Sequence, residues 1–180
     1  MVNYEGYDIL KFNGSFLIPG FSIYLLEIIK GDDKFFYIGM TGDPFYPSAR
    51  SGFHRLAGHL ENAERSTQNQ LWVGLREKAG IIDPNDFFSL KIKMHHFPIP
   101  GFVKWSGKSL HHEEIKASMH LKEYTDYETM QKNILALEKA LINAFPGEIL
   151  LNKTRKTKSE YDFGKYQPIF DGIKFIIEDN

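Results

Sequence analysis

Two adjacent apolar segments near the N-terminus constrain the fold of this chain more than any other feature. The first runs from Phe21 to Ile29 and the second from Phe35 to Met40, and only the stretch from Lys30 to Lys34 separates them. Segments rich in Ile, Leu, Phe and Tyr that flank a Gly-Asp turn are typical of a β-hairpin. The sequence therefore predicts two antiparallel strands joined by a short turn.

Each of these segments carries a tyrosine tripeptide, Ser22-Ile23-Tyr24 in the first and Tyr37-Ile38-Gly39 in the second. Side chains alternate between the two faces of a strand. A two-residue turn would pair Tyr24 with Gly39 and Tyr37 with Leu26, and a four-residue turn keeps the same parity. Both phenols are therefore expected on one face of the sheet. Tyrosine is also an ordinary strand residue, so the pair alone does not indicate a function.

The end of the second strand is a candidate point of substrate approach. Gly39 has no side chain, and Thr41 follows it two residues later. Glycine within a strand often marks a place where a ligand or another backbone comes close. We therefore expect Gly39 and Thr41 to leave this strand end open to a substrate.

A basic helical pattern follows the hairpin. Arg55-Leu56-Ala57-Gly58-His59-Leu60 places Arg55 and His59 four residues apart, on one side of a helix. Arg50 and His54 have the same spacing and remain an alternative pair. Gly52 makes the Arg50 segment the poorer helix former, so the sequence favours Arg55 and His59.

A longer helical pattern, which is expected to begin at the capping box of residues 125–128, carries a carboxylate among apolar residues. Its apolar stripe consists of Met130, Ile134, Leu137, Leu141 and Phe145. Glu138 falls within this stripe, and a buried carboxylate is costly unless it is paired or bound to a cation. Asn152 follows the helix after a Pro-Gly pair.

In this order, the motifs resemble those of the GIY-YIG nuclease superfamily. The matching positions are Ser22-Ile23-Tyr24, Tyr37-Ile38-Gly39, Arg55 with His59, Glu138, and Asn152. The resemblance extends over residues 21–152, with gaps. The chain departs from the family in two respects: Ser22 replaces the first glycine, and the spacing from Tyr37 to Arg55 is longer than usual.

The resemblance implies a metal-dependent DNA endonuclease that hydrolyses phosphodiester bonds, similar to the restriction or phage-type members. Tyr37 is then the general base, with Tyr24 close enough to orient it or the water. Arg55 would stabilise charge on the phosphoryl oxygens, and His59 would share the proton transfer or hold a phosphate. We expect Asn152 to pin the site together rather than to take part in the chemistry.

A metal ion belongs to this expectation. Glu138 is the carboxylate in the predicted core stripe, so it is the candidate metal ligand. One carboxylate suits Mg²⁺ (or Mn²⁺), because Mg²⁺ keeps several of its waters and takes phosphate oxygens as further ligands. A single protein ligand favours one ion rather than two. The paired histidines at 95–96 and 111–112 lack a zinc-ligand spacing, so we do not expect zinc.

DNA is the expected partner, although the formal net charge of -1 does not by itself indicate a DNA-binding protein. A basic stretch directly after Asn152 is the candidate phosphate-contacting segment. Its basic residues are Lys153, Arg155, Lys156 and Lys158. A homodimer is plausible, since a double-strand break requires two active sites. The alternative function is a catalytically inactive or weakly active DNA-binding module of the same fold, and a third class is a protein that does not act on nucleic acid.

The chain as a whole is expected to form one α+β domain over residues 1–180. It should contain a small three-stranded antiparallel sheet with an N-terminal hairpin, flanked by helices, and its 15 Phe and 9 Tyr favour an ordered core. The nuclease core would cover residues 21–152 with an insertion at 98–124, and packed extensions would cover 1–20 and 153–180. Further predicted elements are a helix over residues 66–79, a strand over 87–97 and an edge strand over 169–178.

The absence of cysteine excludes disulfides, thiolate metal sites and cysteine nucleophiles. No segment is long and apolar enough to span a membrane, and the N-terminus lacks the pattern of a secretory signal. We therefore expect a cytoplasmic protein that makes no membrane contact.

Overall fold

A computed structural model describes residues 11–42, 49–60, 70–101, 120, 122–153 and 159–179. Its sheet has three antiparallel strands: β1 (Phe21–Lys30), β2 (Asp33–Thr41) and β3 (Lys91–Ile99). The strand order is β2-β1-β3, so the first strand is central. The predicted α+β class is confirmed, with a three-stranded antiparallel sheet that begins with a hairpin and is flanked by helices.

The helices of the described residues are numbered here in chain order. They are α1 (Gly52–Leu60), α2 (Gln70–Lys78), α3 (Pro84–Phe87), α4 (Lys122–Ala144) and α5 (Gln167–Glu178), with short 3-10 turns at Gly14–Leu17 and Gly164–Tyr166. No helix in this part of the chain is long and apolar enough to cross a membrane.

The hairpin has the register expected for a two-residue turn. Gly31 adopts a φ of 60° at the turn, a conformation that glycine reaches without steric cost. Tyr24 pairs with Gly39, and Tyr37 pairs with Leu26. Both tyrosines belong to the same group of packed side chains, which confirms that they lie on one face of the sheet.

The two faces of the sheet carry separate cores. On the face away from the tyrosines, α4 and α5 pack on the strands, and the buried side chains include Phe21, Ile23, Leu25, Phe36, Ile38, Ile134, Leu137, Leu141, Ile173 and Ile177. On the other face, α2 supplies much of the cover, and the buried side chains include Tyr24, Leu26, Ile28, Tyr37, Leu71, Leu75, Ile81 and Leu151. Helix α1 joins the second core through Leu56.

The third strand lies later in the sequence than predicted. The segment from Pro84 to Phe87 forms α3, because the Asp83 carboxylate accepts a hydrogen bond from the backbone N–H of Asn85 and proline suits the first turn of a helix. The strand begins at Lys91 and continues through Pro98, which an edge strand tolerates.

The predicted edge strand over residues 169–178 is wrong, since this segment forms α5. Pro168 lies in the first turn, and the apolar residues recur at helical spacing. Those that reach the core are Ile169, Phe170, Ile173, Ile176 and Ile177. High β-propensity of isoleucine and phenylalanine therefore gave way to the period of the pattern.

Two other helix boundaries differ from the prediction. Helix α4 begins at Lys122, so Thr125 lies inside the helix and does not cap it. The described part of the second predicted helix runs from Gln70 to Lys78, and residues 66–69 lie outside the described residues. Most of the expected insertion, at 102–119 and 121, and residues 1–10 of the expected N-terminal extension also lie outside them.

Candidate active site

Tyr24 lies at the centre of the candidate site and is fully buried, with 0 % of its surface exposed. Its phenol ring lies across Gly39, its partner on β2. A Cβ atom at Gly39 would overlap the Tyr24 hydroxyl, so only glycine allows the ring to take this position. The tyrosine of one tripeptide therefore requires the glycine of the other.

The expectation of an open strand end at Gly39 and Thr41 is wrong. The Tyr24 ring fills the space above Gly39. Thr41 is fully buried, and its hydroxyl accepts a hydrogen bond from the Ser22 N–H at 2.7 Å and donates one to the Gly20 carbonyl at 2.6 Å. The missing side chain makes room for an internal tyrosine rather than for a ligand.

His59 on α1 contacts both tyrosines. It is buried, and its Nε2 atom lies 2.7 Å from the Tyr24 hydroxyl oxygen. Its ring meets the Tyr37 ring nearly edge-on, at a centroid distance of 5.0 Å and an interplanar angle of 67°. The imidazole therefore links the two phenols.

Arg55 lies one turn before His59 on the same helix, and its charge acts on Tyr24, Tyr37 and Glu138. Burial opposes the charged form of the guanidinium, but these neighbours outweigh it and raise the pKa of Arg55. Its Nε–H is buried without a hydrogen-bond partner among the described residues. The site thus contains a permanent cation with a buried donor that no described residue satisfies.

The alternative pair does not reach the tyrosines. Arg50 precedes α1 and is exposed, and His54 is exposed on the helix. Of the two pairs, the structure brings Arg55 and His59 to Tyr24.

Burial raises the pKa of Tyr24 to about 12; Arg55 opposes this increase, and the Glu138 charge adds to it. The Tyr24 hydroxyl is therefore protonated at neutral pH. Arg55 can only donate to the hydroxyl oxygen. The hydroxyl hydrogen is then available to His59, whose Nε2 acts as the acceptor when the imidazole is neutral.

Glu138 lies on α4 and is buried, with 7 % of its surface exposed. Its helix packs on the face of the sheet opposite the tyrosines, yet its charge acts on both Tyr24 and Arg55. Since β2 is an edge strand, a helix that packs beside it can present a side chain to the other face. Glu138 thus brings a carboxylate charge to the cluster around Tyr24 and Arg55.

Asn152 holds the chain after α4 against the free edge of β2. Its Oδ1 accepts a hydrogen bond from the Ile38 N–H at 2.8 Å, and its Nδ2 donates to the Ile38 carbonyl at 2.7 Å. Just before it, Phe36 exchanges backbone hydrogen bonds with Ile149 and Leu151. The Asn152 amide therefore continues a short parallel pairing up to the residue next to Tyr37.

The basic stretch is described only at its start. Lys153 is exposed immediately after Asn152. Arg155, Lys156 and Lys158 lie outside the described residues, so their expected phosphate contacts stay a prediction.

Sequence reasoning missed two charged residues that the structure places in buried or half-buried positions. The first is Glu27 of β1, which is 2 % exposed and lies 3.3 Å from both Lys93 Nζ and His95 Nε2. Burial favours the neutral acid, but hydrogen bonds from His95 and Lys93 lower the pKa of Glu27 on balance. A single acidic residue within an apolar strand was the available signal.

The second missed residue is Lys78 at the end of α2. Its ammonium group donates to the backbone carbonyls of Gly147, Leu150 and Asn152. A basic residue in the last turn of a helix commonly meets carbonyls of its own helix, so nothing in the sequence indicated these distant partners.

Comparison with protein-family models, curated protein sequences and solved structures found no match to this chain. Within the described residues no three His, Asp or Glu side chains gather as a metal cluster. A site with one carboxylate still fits Mg²⁺, which binds proteins through one or two carboxylates and retains water ligands.

Proposed function

We propose that this protein is a metal-dependent DNA endonuclease of the GIY-YIG type, which hydrolyses phosphodiester bonds. One observation carries the proposal: five polar side chains from β1, β2, α1 and α4 act on one another in a single buried cluster. They are Tyr24, Tyr37, Arg55, His59 and Glu138. Burying this many polar groups is costly, and all five are among the positions that match the motifs of the family.

Arg55 would stabilise the charge that develops on the phosphoryl oxygens. Phosphoryl transfer depends mainly on positioning and on electrostatic stabilisation of these oxygens. The raised pKa of Arg55 keeps the guanidinium charged throughout the cycle. Its planar set of N–H donors also matches the geometry of a phosphate, and its Nε–H, which has no partner among the described residues, supports this role.

Tyr37 would take the proton from the attacking water. A general base must exchange its proton near the working pH, and the pKa of about 12 makes Tyr24 unsuited to this task. Tyr37 is 6 % exposed, and it shares the Arg55 charge. Tyr24 then acts as a neutral donor that keeps the imidazole of His59 beside the Tyr37 ring.

Glu138 would hold the Mg²⁺ or Mn²⁺ ion that the family resemblance implies. Its carboxylate is buried beside Arg55 and Tyr24, and carboxylate oxygen is the donor that hard cations prefer. When bound, such an ion supplies charge stabilisation to the departing oxygen. The carboxylate itself would fix where the scissile phosphate lies relative to Arg55.

DNA would reach the site along the segment that follows Asn152. This segment begins directly after Asn152, whose side-chain amide is hydrogen bonded to β2. Its basic residues are Lys153, Arg155, Lys156 and Lys158. Its lysines, its single arginine and the interleaved threonines suit phosphate contacts that position a duplex without reading its sequence. Cleavage of both strands would require a second copy of the site, which a homodimer supplies.

A cleavage assay tests the proposal. Supercoiled plasmid and linear phage DNA are incubated with the protein in Mg²⁺ or Mn²⁺, with a chelator as the blank. Wild-type protein should nick or linearise the plasmid, and Glu138→Gln should not. Glu128→Gln is the matched control, because Glu128 lies on the same helix and forms an exposed ion pair with Lys132.

Binding assays at low salt separate the alternatives. Tight DNA binding without cleavage by the wild-type protein would favour the inactive DNA-binding module. No binding and no cleavage would favour a protein that does not act on nucleic acid, since phosphate contacts are strongest at low salt.

A further inference from the structure

The ammonium group of Lys78 collects three backbone carbonyls from one short segment. Its Nζ atom lies 2.9 Å from the Gly147 oxygen and 3.0 Å from the Asn152 oxygen, and it also donates to Leu150. An ammonium group has three N–H donors, so each donor has its own acceptor. Helix α2 thereby binds the end of the connection between α4 and the basic stretch.

Gly74 supports the same contact from one turn earlier on α2. A Cβ atom at this position would overlap the carbonyl oxygen of Leu151. Residues four apart lie on one face of a helix, so Gly74 and Lys78 face the segment together. The glycine allows the backbones to approach, and the lysine satisfies the carbonyls that this approach removes from water.

The far side of this segment is hydrogen bonded to β2. The side chain of Asn152 is hydrogen bonded to both backbone groups of Ile38, and Ile38 is the neighbour of Tyr37. The Asn152 carbonyl, by contrast, accepts from Lys78. A single residue therefore connects the end of α2 to the strand that carries the proposed general base.

We propose that Lys78 is a positioning residue of the nuclease site. It holds residues 147–152 between α2 and β2, which keeps the Asn152 amide paired with Ile38 and gives the basic stretch at Lys153 a fixed starting point. This role rests on the proposed nuclease function, but the pairing itself can be measured without catalysis. The side chain acts through Asn152 and does not touch the reacting atoms.

The first test measures hydrogen exchange of the Ile38 amide, which donates to Asn152 in the wild-type protein. Lys78→Met keeps the apolar stem and removes the ammonium group. Ile38 exchange should accelerate by at least about 10-fold, while the amide of Leu26 on the central strand should not change. Arg76→Met is the control, because Arg76 is exposed on the same helix and should leave both amides unchanged.

The second test measures steady-state cleavage in Mg²⁺. Lys78→Met should lower kcat by about 10-fold to 100-fold, as expected for misplacement of a distant support, with little change in KM. The Lys78→Met/Asn152→Ala double variant should be no slower than the slower single variant, because both changes break one linkage. Lys78→Gln, which retains N–H donors, should give an intermediate value and replaces Lys78→Met if that protein does not fold.

Unchanged exchange at Ile38, or rate losses that multiply in the double variant, would overturn the positioning role. A wild-type protein that cleaves no DNA would instead refute the nuclease proposal. In that case the exchange experiment would still decide whether Lys78 fixes Asn152 against β2.

Discussion

Tyr24 and Gly39 are cross-strand partners, and the phenol ring of Tyr24 fills the space that a side chain at Gly39 would occupy. Because the ring crosses β2 at this point, its hydroxyl group reaches His59 on α1 at 2.7 Å. The register of the hairpin thus decides where the hydroxyl of the candidate site lies. A slip of one residue would place the two tyrosines on opposite faces of the sheet.

Gly39→Ala should damage both the fold and the site. The added methyl group overlaps the Tyr24 hydroxyl, so the ring has to move away from His59. We expect the free energy of unfolding to fall by about 1–3 kcal/mol, as for other overpacked cores, and cleavage to fall with it. Urea unfolding followed by circular dichroism measures the first effect.

Gly58→Ala is the matched control for that experiment. Gly58 lies on α1, next to His59, and a Cβ atom there meets nothing within 4 Å. Since alanine is the better helix former, this variant should be more stable by about 0.5–1 kcal/mol. Equal stabilities for the two variants would contradict the steric account of Gly39.

Alkaline pH should destabilise the wild-type protein through Tyr24. A tyrosine in the unfolded chain has a pKa of about 10, whereas burial raises the pKa of Tyr24 to about 12. The resulting stabilisation of the fold is complete below the pKa of the unfolded chain and is lost as the pH rises through the pKa of the folded protein. The total loss is roughly 3 kcal/mol. The difference in unfolding free energy between wild type and Tyr24→Phe, measured across this pH range, should shrink or reverse accordingly. Parallel pH curves would contradict the prediction.

The sequence was sufficient to predict the hairpin, because its two apolar segments leave one short turn and the period of two fixes the faces of Tyr24 and Tyr37. It also indicated Glu138, since a carboxylate in an apolar helical stripe stands out. It favoured Arg55 over Arg50 for a local reason, the glycine at 52. In each case the signal lay within one element or two adjacent elements.

Features that depend on contacts between distant elements were missed. The three acceptors of Lys78 follow α4, about 70 residues later in the chain, and no pattern within α2 points to them.

Two local predictions were also wrong. The expected opening above Gly39 is absent because the Tyr24 ring occupies that space. The strand predicted over residues 169–178 was wrong because it followed the β-propensity of these residues, whereas their apolar spacing is helical.

Acid should weaken the fold through Glu27. Glutamate in an unfolded chain has a pKa of about 4.3, and hydrogen bonds from His95 and Lys93 lower the pKa of Glu27 in the fold despite its burial. The stabilisation is therefore present above the unfolded pKa and is lost as the pH falls through the folded value. At neutral pH, Glu27→Gln should be less stable than wild type by roughly 1–3 kcal/mol, and this difference should vanish in acid.

Glu178→Gln provides the comparison for Glu27. Glu178 pairs with Lys174 at 3.7 Å on the surface of α5, and exposed pairs contribute little. Its unfolding free energy should match that of wild type at both pH values. A Glu27→Gln protein that behaves like this control would show that the buried carboxylate adds no stability.

Arg55 and Arg50 should respond differently to the same substitution. Arg55→Lys keeps a positive charge but loses the planar set of donors, and we expect the cleavage rate to fall by about 100-fold or more. Arg50→Lys should cleave at the wild-type rate, because Arg50 is exposed and lies before α1. A loss confined to Arg50→Lys would move the site to the alternative pair of Arg50 and His54.

We propose that the cluster around Tyr24 hydrolyses phosphodiester bonds. The most direct measurement is the single-turnover rate of plasmid cleavage in Mg²⁺, with protein in excess, for wild type, Tyr37→Phe and Glu138→Gln. Both variants should fold and bind DNA but cleave at least about 100-fold more slowly than wild type. Wild-type rates in either variant would contradict the assignment of this cluster as the active site.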